Sequence, residues 1–464
     1  MKKIISIILL AALILCLCAC ATEPKWKPYT GNMEGYVYYH KTERERAWEE
    51  DVLSLANAFL TDHPLLLNEE SPLMYYLIQG FNLSKENLFN EELHTAFLQS
   101  INALIPRLSE LTDEQIPYEL QKIVAALGDF HSQVVLDSQY TFPVLVEPFY
   151  VDDRVEIRMV VLPTEYKEFI YAKLVSVNGI AIDEVIKKVA PYGSVENEYS
   201  LITRLIDDNL GGILLDPGIL TAAGITKSKT ETANFGIETE DGKTHTISIA
   251  PVPSEQYKDV DRENRSIYQT YPHLYKDWLT DFYWYDLWPE DDAAYVRISR
   301  FYQEENETIK EMFESLMSEL WEHEKIDKII LDLRRSYGGN GLDEDFRRLI
   351  QALRLPQIKD VCVLIDHGTI SRSVIAAYQI KKEVETAVLI GNPAAEGSNN
   401  FAIKTDNHFR SLPNSGLTYV VGTIAHKLDR EQPFDALMPD ITVYPTLEDY
   451  KNGIDTILEV ALSQ

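Results

Sequence analysis

Three short stretches of the chain carry residue types suited to acyl transfer. The first is the apolar run Val361–Ile365, followed by His367-Gly368-Thr369-Ile370-Ser371 and a helical pattern. A serine at a strand-to-helix junction often serves only as an N-cap. The same position also presents a hydroxyl at the positive end of a helix, where a nucleophile is well placed. The second stretch is Lys328-Ile329-Ile330-Leu331-Asp332-Leu333, running into Arg334-Arg335-Ser336-Tyr337-Gly338-Gly339-Asn340. Paired glycines after a strand let backbone N–H groups converge on one point, as an oxyanion hole requires, although a plain turn would use them equally. The third is Leu127-Gly128-Asp129-Phe130-His131-Ser132. A lone histidine is more often structural, but a serine nucleophile needs a base, and His131 stands where a helical region gives way to strands.

The rest of the composition narrows the chemistry. There is no Cys-x-x-Cys or His-Glu-x-x-His, and the ten histidines are scattered, so neither a metal nor another cofactor is called for. Cys362 lies in the apolar run Val361-Cys362-Val363-Leu364-Ile365 and reads as a packing residue. The formal net charge is −30, with acids spread along the chain, which disfavours nucleic acid and anionic headgroups as partners.

These residues must be positioned by elements that the hydrophobic pattern delimits. Residues 43–137 read as a helical region, with Trp48, Val52, Leu55, Ala56 and Phe59 at helical spacing and Pro64, Pro72, Pro106 and Pro117 as breaks. Residues 138–260 read as β-rich, with short runs such as Val155–Leu162 and Lys173–Val177 and turn signals at Asn178-Gly179 and Asp241-Gly242. After a polar, Tyr-rich linker (Ser254–Lys276), residues 270–464 alternate apolar strands with helices, as a βαβ core with a largely parallel sheet does. The expected class is mixed α/β, and about 445 residues without the leader imply more than one hydrophobic core.

The N-terminus predicts export. Lys2 and Lys3 precede an apolar run, Ile4–Leu17, too short to span a bilayer, so residues 1–20 read as a signal peptide. The sequence Leu17-Cys18-Ala19-Cys20 resembles a lipoprotein cleavage box, which would put a lipid on Cys20 and leave residues 21–42 as a tether at the extracytoplasmic face. Ordinary cleavage near Ala19 or Ala21 is the alternative. Removing the two lysines takes the net charge from −30 to −32, so a lipid rather than electrostatics would hold the protein at the membrane.

Taken in order, the motifs resemble the tail-specific (carboxyl-terminal processing) serine proteases, a group that includes the tricorn core protease. The pattern Leu-x-Asp-x-His-Thr is similar to Leu127–Ser132, with Ser132 for threonine, and Asp-Leu-Arg-x-Asn-x-Gly-Gly to Asp332–Gly339, with Ser336 for asparagine. Small residue-x-Ser-small-small is matched in part by Thr369–Ser373, where Arg372 and Ser373 replace small residues. Late motifs match Pro439–Val443 and Asp449–Asp455. The resemblance implies a ClpP/crotonase-like core and a substrate-recognition insert, PDZ-like in many members, of which only a strand and a turn are matched here. The aromatic cluster Phe282-Tyr283-Trp284-Tyr285 with Trp288 would either line the cleft or pack the core.

One branch of that family uses a Ser-Lys dyad, with lysine some two dozen residues beyond the serine. Here that loop reads Gly391-Asn392-Pro393-Ala394-Ala395-Glu396-Gly397-Ser398, and Lys381 and Lys382, on the helix after Ser371, sit roughly 15 Å away. The dyad is excluded. The resemblance then implies a Ser-His-acid system: Ser371 as nucleophile, His131 as general base, and Asp435, with Glu431 second, as the acid. The N–H groups of Gly338 or Gly339, with that of Arg372, would form the oxyanion hole. The expected activity is a serine peptidase acting on exported polypeptides. The rival is a silent lipoprotein of the same fold that binds a peptide or apolar ligand.

Overall fold

The computed structural model describes residues 26–67, 89–136, 138–151, 154–207, 212–256, 282–302, 308–340, 343–403, 409–429 and 435–464. The leader with Cys20, most of the Tyr-rich linker, and Glu431 lie outside them.

The first helix, α1 (Glu43–Asp62), is capped by Thr42, whose side chain accepts from the Glu45 amide, with Glu43 and Glu45 favourably placed in its first turn. It stops at His63 because Pro64 follows: the ring forces the preceding residue out of helical geometry, and His63 is extended at φ −80°, ψ 126°. Helices α2 (Glu91–Leu104) and α3 (Ile116–Ala125) pack on α1 through Val52, Leu55, Phe59, Phe97, Ile101, Leu120 and Val124. This core is completed from far along the chain, by Leu412, Tyr419 and Val421.

The middle of the chain forms an antiparallel sheet. Its main strands are β2 (Leu145–Val151), β3 (Arg154–Val161), β4 (Lys173–Val177), β5 (Ala233–Glu238) and β6 (Thr244–Ile249), in that spatial order. Helices α4 (Ile182–Val189), α5 (Glu198–Ile206) and α6 (Pro217–Ala222) contribute Val185, Leu205 and Leu220 to its core. Ahead of this sheet, β1 (Gln133–Val134) leaves it altogether and pairs with β14 (Thr418–Val420).

The C-terminal core is a six-stranded sheet in the order β7 (Tyr283–Trp288), β8 (Ala293–Ile298), β9 (Lys328–Asp332), β10 (Asp360–Ile365), β11 (Ala387–Gly391) and β16 (Ile441–Thr442). Only β7 runs antiparallel to its neighbour. Strands β8 and β9 are buried at every residue, as a sheet covered on both faces requires. One face, with Val296, Leu331 and Val363, packs on α7 (Ile309–Glu322), α8 (Asp343–Leu353) and α9 (Arg372–Glu383). The other face, with Tyr295, Cys362, Leu364 and Ile390, packs on the final helix α11 (Thr456–Ser463), after the short α10 (Leu447–Lys451). Cys362 is thus a buried packing residue. In the aromatic cluster, Tyr283 and Trp284 are buried, and Tyr283 belongs to the core rather than to a cleft.

The motif pair Asp332-Leu333-Arg334 and Asp449–Asp455 meets in space. The buried Arg334 guanidinium bonds Asp332 and reaches both oxygens of Asp455 at 2.7 Å, tying the end of β9 to α11. A paired guanidinium of this kind is tolerated inside because each of its charges has a fixed partner.

Candidate active site

Because β9, β10 and β11 are parallel, the loops that follow them gather at one edge of the sheet. The loop after β10 is wired to the loop after β9. Asp366 Oδ1 accepts from the amides of Gly368 and Arg335, each at 2.9 Å, Thr369 Oγ1 donates to the Leu333 carbonyl at 2.8 Å, and the Ile370 amide donates to the Ser336 carbonyl at 3.0 Å. These bonds deliver Ser371 at φ 56°, ψ −127°, immediately before α9. An L-residue in such a conformation stores on the order of 1–3 kcal/mol and persists only where its surroundings over-determine it. The Ser371 side chain makes no capping bond, so the N-cap alternative does not hold.

His131 comes from the opposite side. Gly128, at φ 72°, turns the chain out of α3. The Asp129 carboxylate then organises the loop: Oδ1 accepts from the His131 amide at 2.8 Å, and Oδ2 from the Ser132 hydroxyl and from His63 Nε2 at 3.2 Å, in the tautomer protonated there. Ser132 Oγ in turn accepts from the Gly422 amide at 2.8 Å. Burial alone would raise the Asp129 pKa, but the His63 partner and its other neighbours hold it below the usual carboxylate value. With its loop fixed in this way, His131 places Nε2 3.2 Å from Ser371 Oγ.

The carboxylate behind the ring is Glu396. Its Oε1 lies 3.2 Å from His131 Nδ1, at ion-pair distance though out of line for a hydrogen bond. Its Oε2 accepts from the Ser371 amide, so one carboxylate touches both the base and the nucleophile's backbone. Burial disfavours the charged imidazole of His131, but the Glu396 carboxylate, with Asp129 behind it, outweighs that effect, and the pKa is raised above 6.5. Nearby His426, on β15 (Ile424–Lys427), is pushed the other way to about 4, by burial and by His131 and Arg372, and so stays neutral.

Asp435 does not reach the ring. It is exposed, and its Oδ1 accepts from the amide of Ala436 at 2.9 Å. What it contributes is backbone: its carbonyl leaves no room for a Cβ at Gly397, and the next turn donates from the Leu437 amide to the Glu396 carbonyl at 2.9 Å. The 435–437 segment therefore holds the loop that carries Glu396, and the carboxylate that meets the ring is Glu396 rather than Asp435. It stands 25 residues beyond Ser371, in the loop where the dyad branch would keep lysine. A search of that loop for a base passes over a carboxylate, which is why the sequence reading missed it.

The glycine pair lies against the nucleophile. A Cβ on Gly338 would come 2.6 Å from Ser371 Cβ and 2.7 Å from the Arg372 nitrogen. The Gly338 N–H, however, donates to Ser373 Oγ at 3.1 Å, so in this conformation it does not face an open oxyanion site. Gly339 pairs with Phe301 instead, and only glycine fits there against the Phe301 backbone. Arg372 is the first residue of α9, where amides point out of the helix end. Ser336 and Ser373, both departures from the family pattern, answer each other: their hydroxyls are 2.6 Å apart and fully buried.

A third carboxylate near His131, Glu196, enters from the segment before α5. Oxygen or nitrogen atoms of Asp129, His131 and Glu196 lie within 4.8 Å of one another, close enough for a metal ion, but an ion there would compete for groups already engaged with His63, Ser371 or Glu396.

No family model matches the chain, and no curated protein does. Among solved structures it is similar to mature CPAF (TM-score 0.56, 13% identity, covering 90% of this chain and 96% of that one). The same protein complexed with lactacystin gives a TM-score of 0.54 at 12% identity, covering 90% and 97%. A putative S41 protease from Bacteroides fragilis NCTC 9343 matches over 92% and 97% at 12% identity, with a TM-score of 0.38. At these identities the likeness to CPAF is one of fold, and it extends over nearly the whole chain.

Proposed function

We propose that this chain is a serine peptidase in which Ser371 is the nucleophile, His131 the general base and Glu396 the acid that orients it. The observation that carries the reading is the contact line Ser371 Oγ–His131 Nε2–His131 Nδ1–Glu396 Oε1, with 3.2 Å at each of its two gaps and a strained nucleophile at its end. In the reaction, Ser371 Oγ attacks the scissile carbonyl carbon while its proton passes to His131 Nε2. The tetrahedral intermediate collapses as that proton goes to the leaving amine, and water then hydrolyses the acyl-serine by the same route. The Glu396 carboxylate stabilises the imidazolium that forms in each half.

The substrate class we infer is exported polypeptide, because the leader motif implies secretion with a lipid on Cys20 and no cofactor is needed. The oxyanion donors we favour are the amide of Arg372 with that of Gly338, once Ser373 releases it, or that of Gly339. That engaged amide also favours a second reading, a silent binder of peptides.

Labelling with a fluorophosphonate probe separates the two. We expect the soluble chain from Pro28 to label, and Ser371→Ala and His131→Ala to abolish it. A folded wild-type chain that does not label would leave the silent binder.

A further inference from the structure

The mechanism above uses one carboxylate at His131, Glu396, and Asp129 holds its loop, yet another is brought close to the same ring from a different region. Glu196 lies in the stretch between Ser194, whose hydroxyl donates to the Ser132 carbonyl at 2.5 Å, and Asn197, whose side chain donates to the Ala395 carbonyl at 2.8 Å and caps α5. The segment is therefore fastened both to the loop of the base and to the loop of the acid. Glu196 Oε1 accepts from the Phe401 amide at 3.4 Å, next to β12 (Asn399–Ala402) and the Glu396 loop. Its other oxygen, Oε2, is buried and makes no well-formed hydrogen bond, although the Phe130 amide lies close to the carboxyl.

An ionised carboxylate left that way is costly, since neither water nor a proton donor repays its desolvation. A protonated one is not, because its neighbours Asp129 and Glu396 are acceptors. We propose that Glu196 is a neutral carboxyl that acts as a positioning residue for the His131–Glu396 pair. The inference rests on the peptidase reading for its catalytic consequence, and on packing alone for its charge state. The Phe401 and Phe130 amides favour the ionised form, but the larger influences oppose it. Asp129 and Glu396 oppose its ionisation, along with burial, which is the largest effect and raises its pKa well above the ordinary value. The donors nearby bond other groups: His63 bonds Asp129, Arg204 bonds the Phe130 and Ser194 carbonyls, and His131 faces Glu396, while His426 is neutral.

The consequence is a base of usable strength. A third negative charge beside His131 would hold the imidazole protonated and unable to accept from Ser371. Keeping Glu196 neutral supplies the bonds that fix the loops without that charge. Glutamine, neutral and nearly the same shape, should therefore replace it.

Two measurements test this. The first is the rate of fluorophosphonate labelling against pH for wild type and Glu196→Gln, with Glu396→Gln for comparison. At pH 7 the Glu196→Gln rate should stay within about threefold of wild type, and any loss of rate that wild type shows at alkaline pH should be absent. Glu396→Gln should fall by about a hundredfold or more. A Glu196→Gln chain as slow as Glu396→Gln overturns the proposal. The second needs no activity: the melting temperature from pH 5 to 9 of Ser371→Ala, with and without Glu196→Gln. A buried acid with a raised pKa loses stability as pH rises from its unfolded value toward its folded one, so the glutamine chain should show the flatter curve. Parallel curves overturn the proposal. A flatter curve in a protein that never labels leaves the neutral carboxyl standing and removes only the peptidase reading.

Discussion

At the level of single residues, the question is what Glu396 does for His131. Because it raises the pKa of the base above 6.5, labelling of Ser371 should decline as pH falls through that raised value, where the imidazole takes up a proton and stops being a base. Glu396→Gln removes the larger of the two carboxylate influences, with Asp129, that oppose burial. The acid limb of the pH–rate profile should then move to lower pH, and the plateau should drop by roughly 10²–10⁴. A limb that stays in place would assign the raised pKa to Asp129 instead, whereas Asp435→Asn should change neither quantity. The meeting of Ser371 and His131 was legible because each stands in a short motif whose spacing is local. Glu396 was not, because nothing near it in sequence distinguishes it from a solvated loop acid. Its role comes from the Leu437 amide, the Asp435 carbonyl and the Gly397 gap, which are properties of tertiary packing. Ser336 and Ser373 teach the same lesson in reverse: each looks like decay when read alone, and they hydrogen-bond each other.

At the level of elements, the N-terminal helices are part of the site's frame. Pro64 ends α1 at the residue where His63 must turn toward Asp129, and both side chains are completely buried. His63→Ala would leave Asp129 short of a donor and open a cavity, at a cost of about 3 kcal/mol. Differential scanning calorimetry should register this as a lower melting temperature. Labelling should slow as well, because the Asp129 loop also holds the His131 amide. If stability falls and labelling does not, His63 braces the helices alone. The helix periodicities and the alternating core strands were readable in the sequence because period and length differ so clearly between them. The pairing of β1 with β14 was not, since strands of two or three residues carry no pattern and their partner is remote in sequence.

At the level of the whole molecule, regions that read as separate along the sequence interlock. Arg335, itself at φ 47°, leaves the loop after β9 and reaches Glu147 on β2 at 2.6 Å, so the middle sheet is fastened beside the nucleophile. The final helix covers one face of the core sheet, over Tyr295, Cys362 and Leu364. A chain ending before Thr456 would expose that face and lose the Asp455–Leu458 cap, while Arg334 would keep its pair with Asp455. It should recover from expression as aggregate, and solubility after lysis is the measure; a soluble, cooperatively melting product would show the helix to be dispensable. The bond from Gly422 to Ser132 has a further consequence, in time rather than in space. A ribosome adding about 5–20 residues per second makes His131 long before Ser371, 240 residues later, and makes the Gly422 segment that steadies the His131 loop later still. Throughout its synthesis and any threading through a translocon, the growing chain holds only half of the Ser371–His131 pair. On the proposed peptidase reading, the site closes only when nearly all of the polypeptide has emerged, so a chain still being made would not cut.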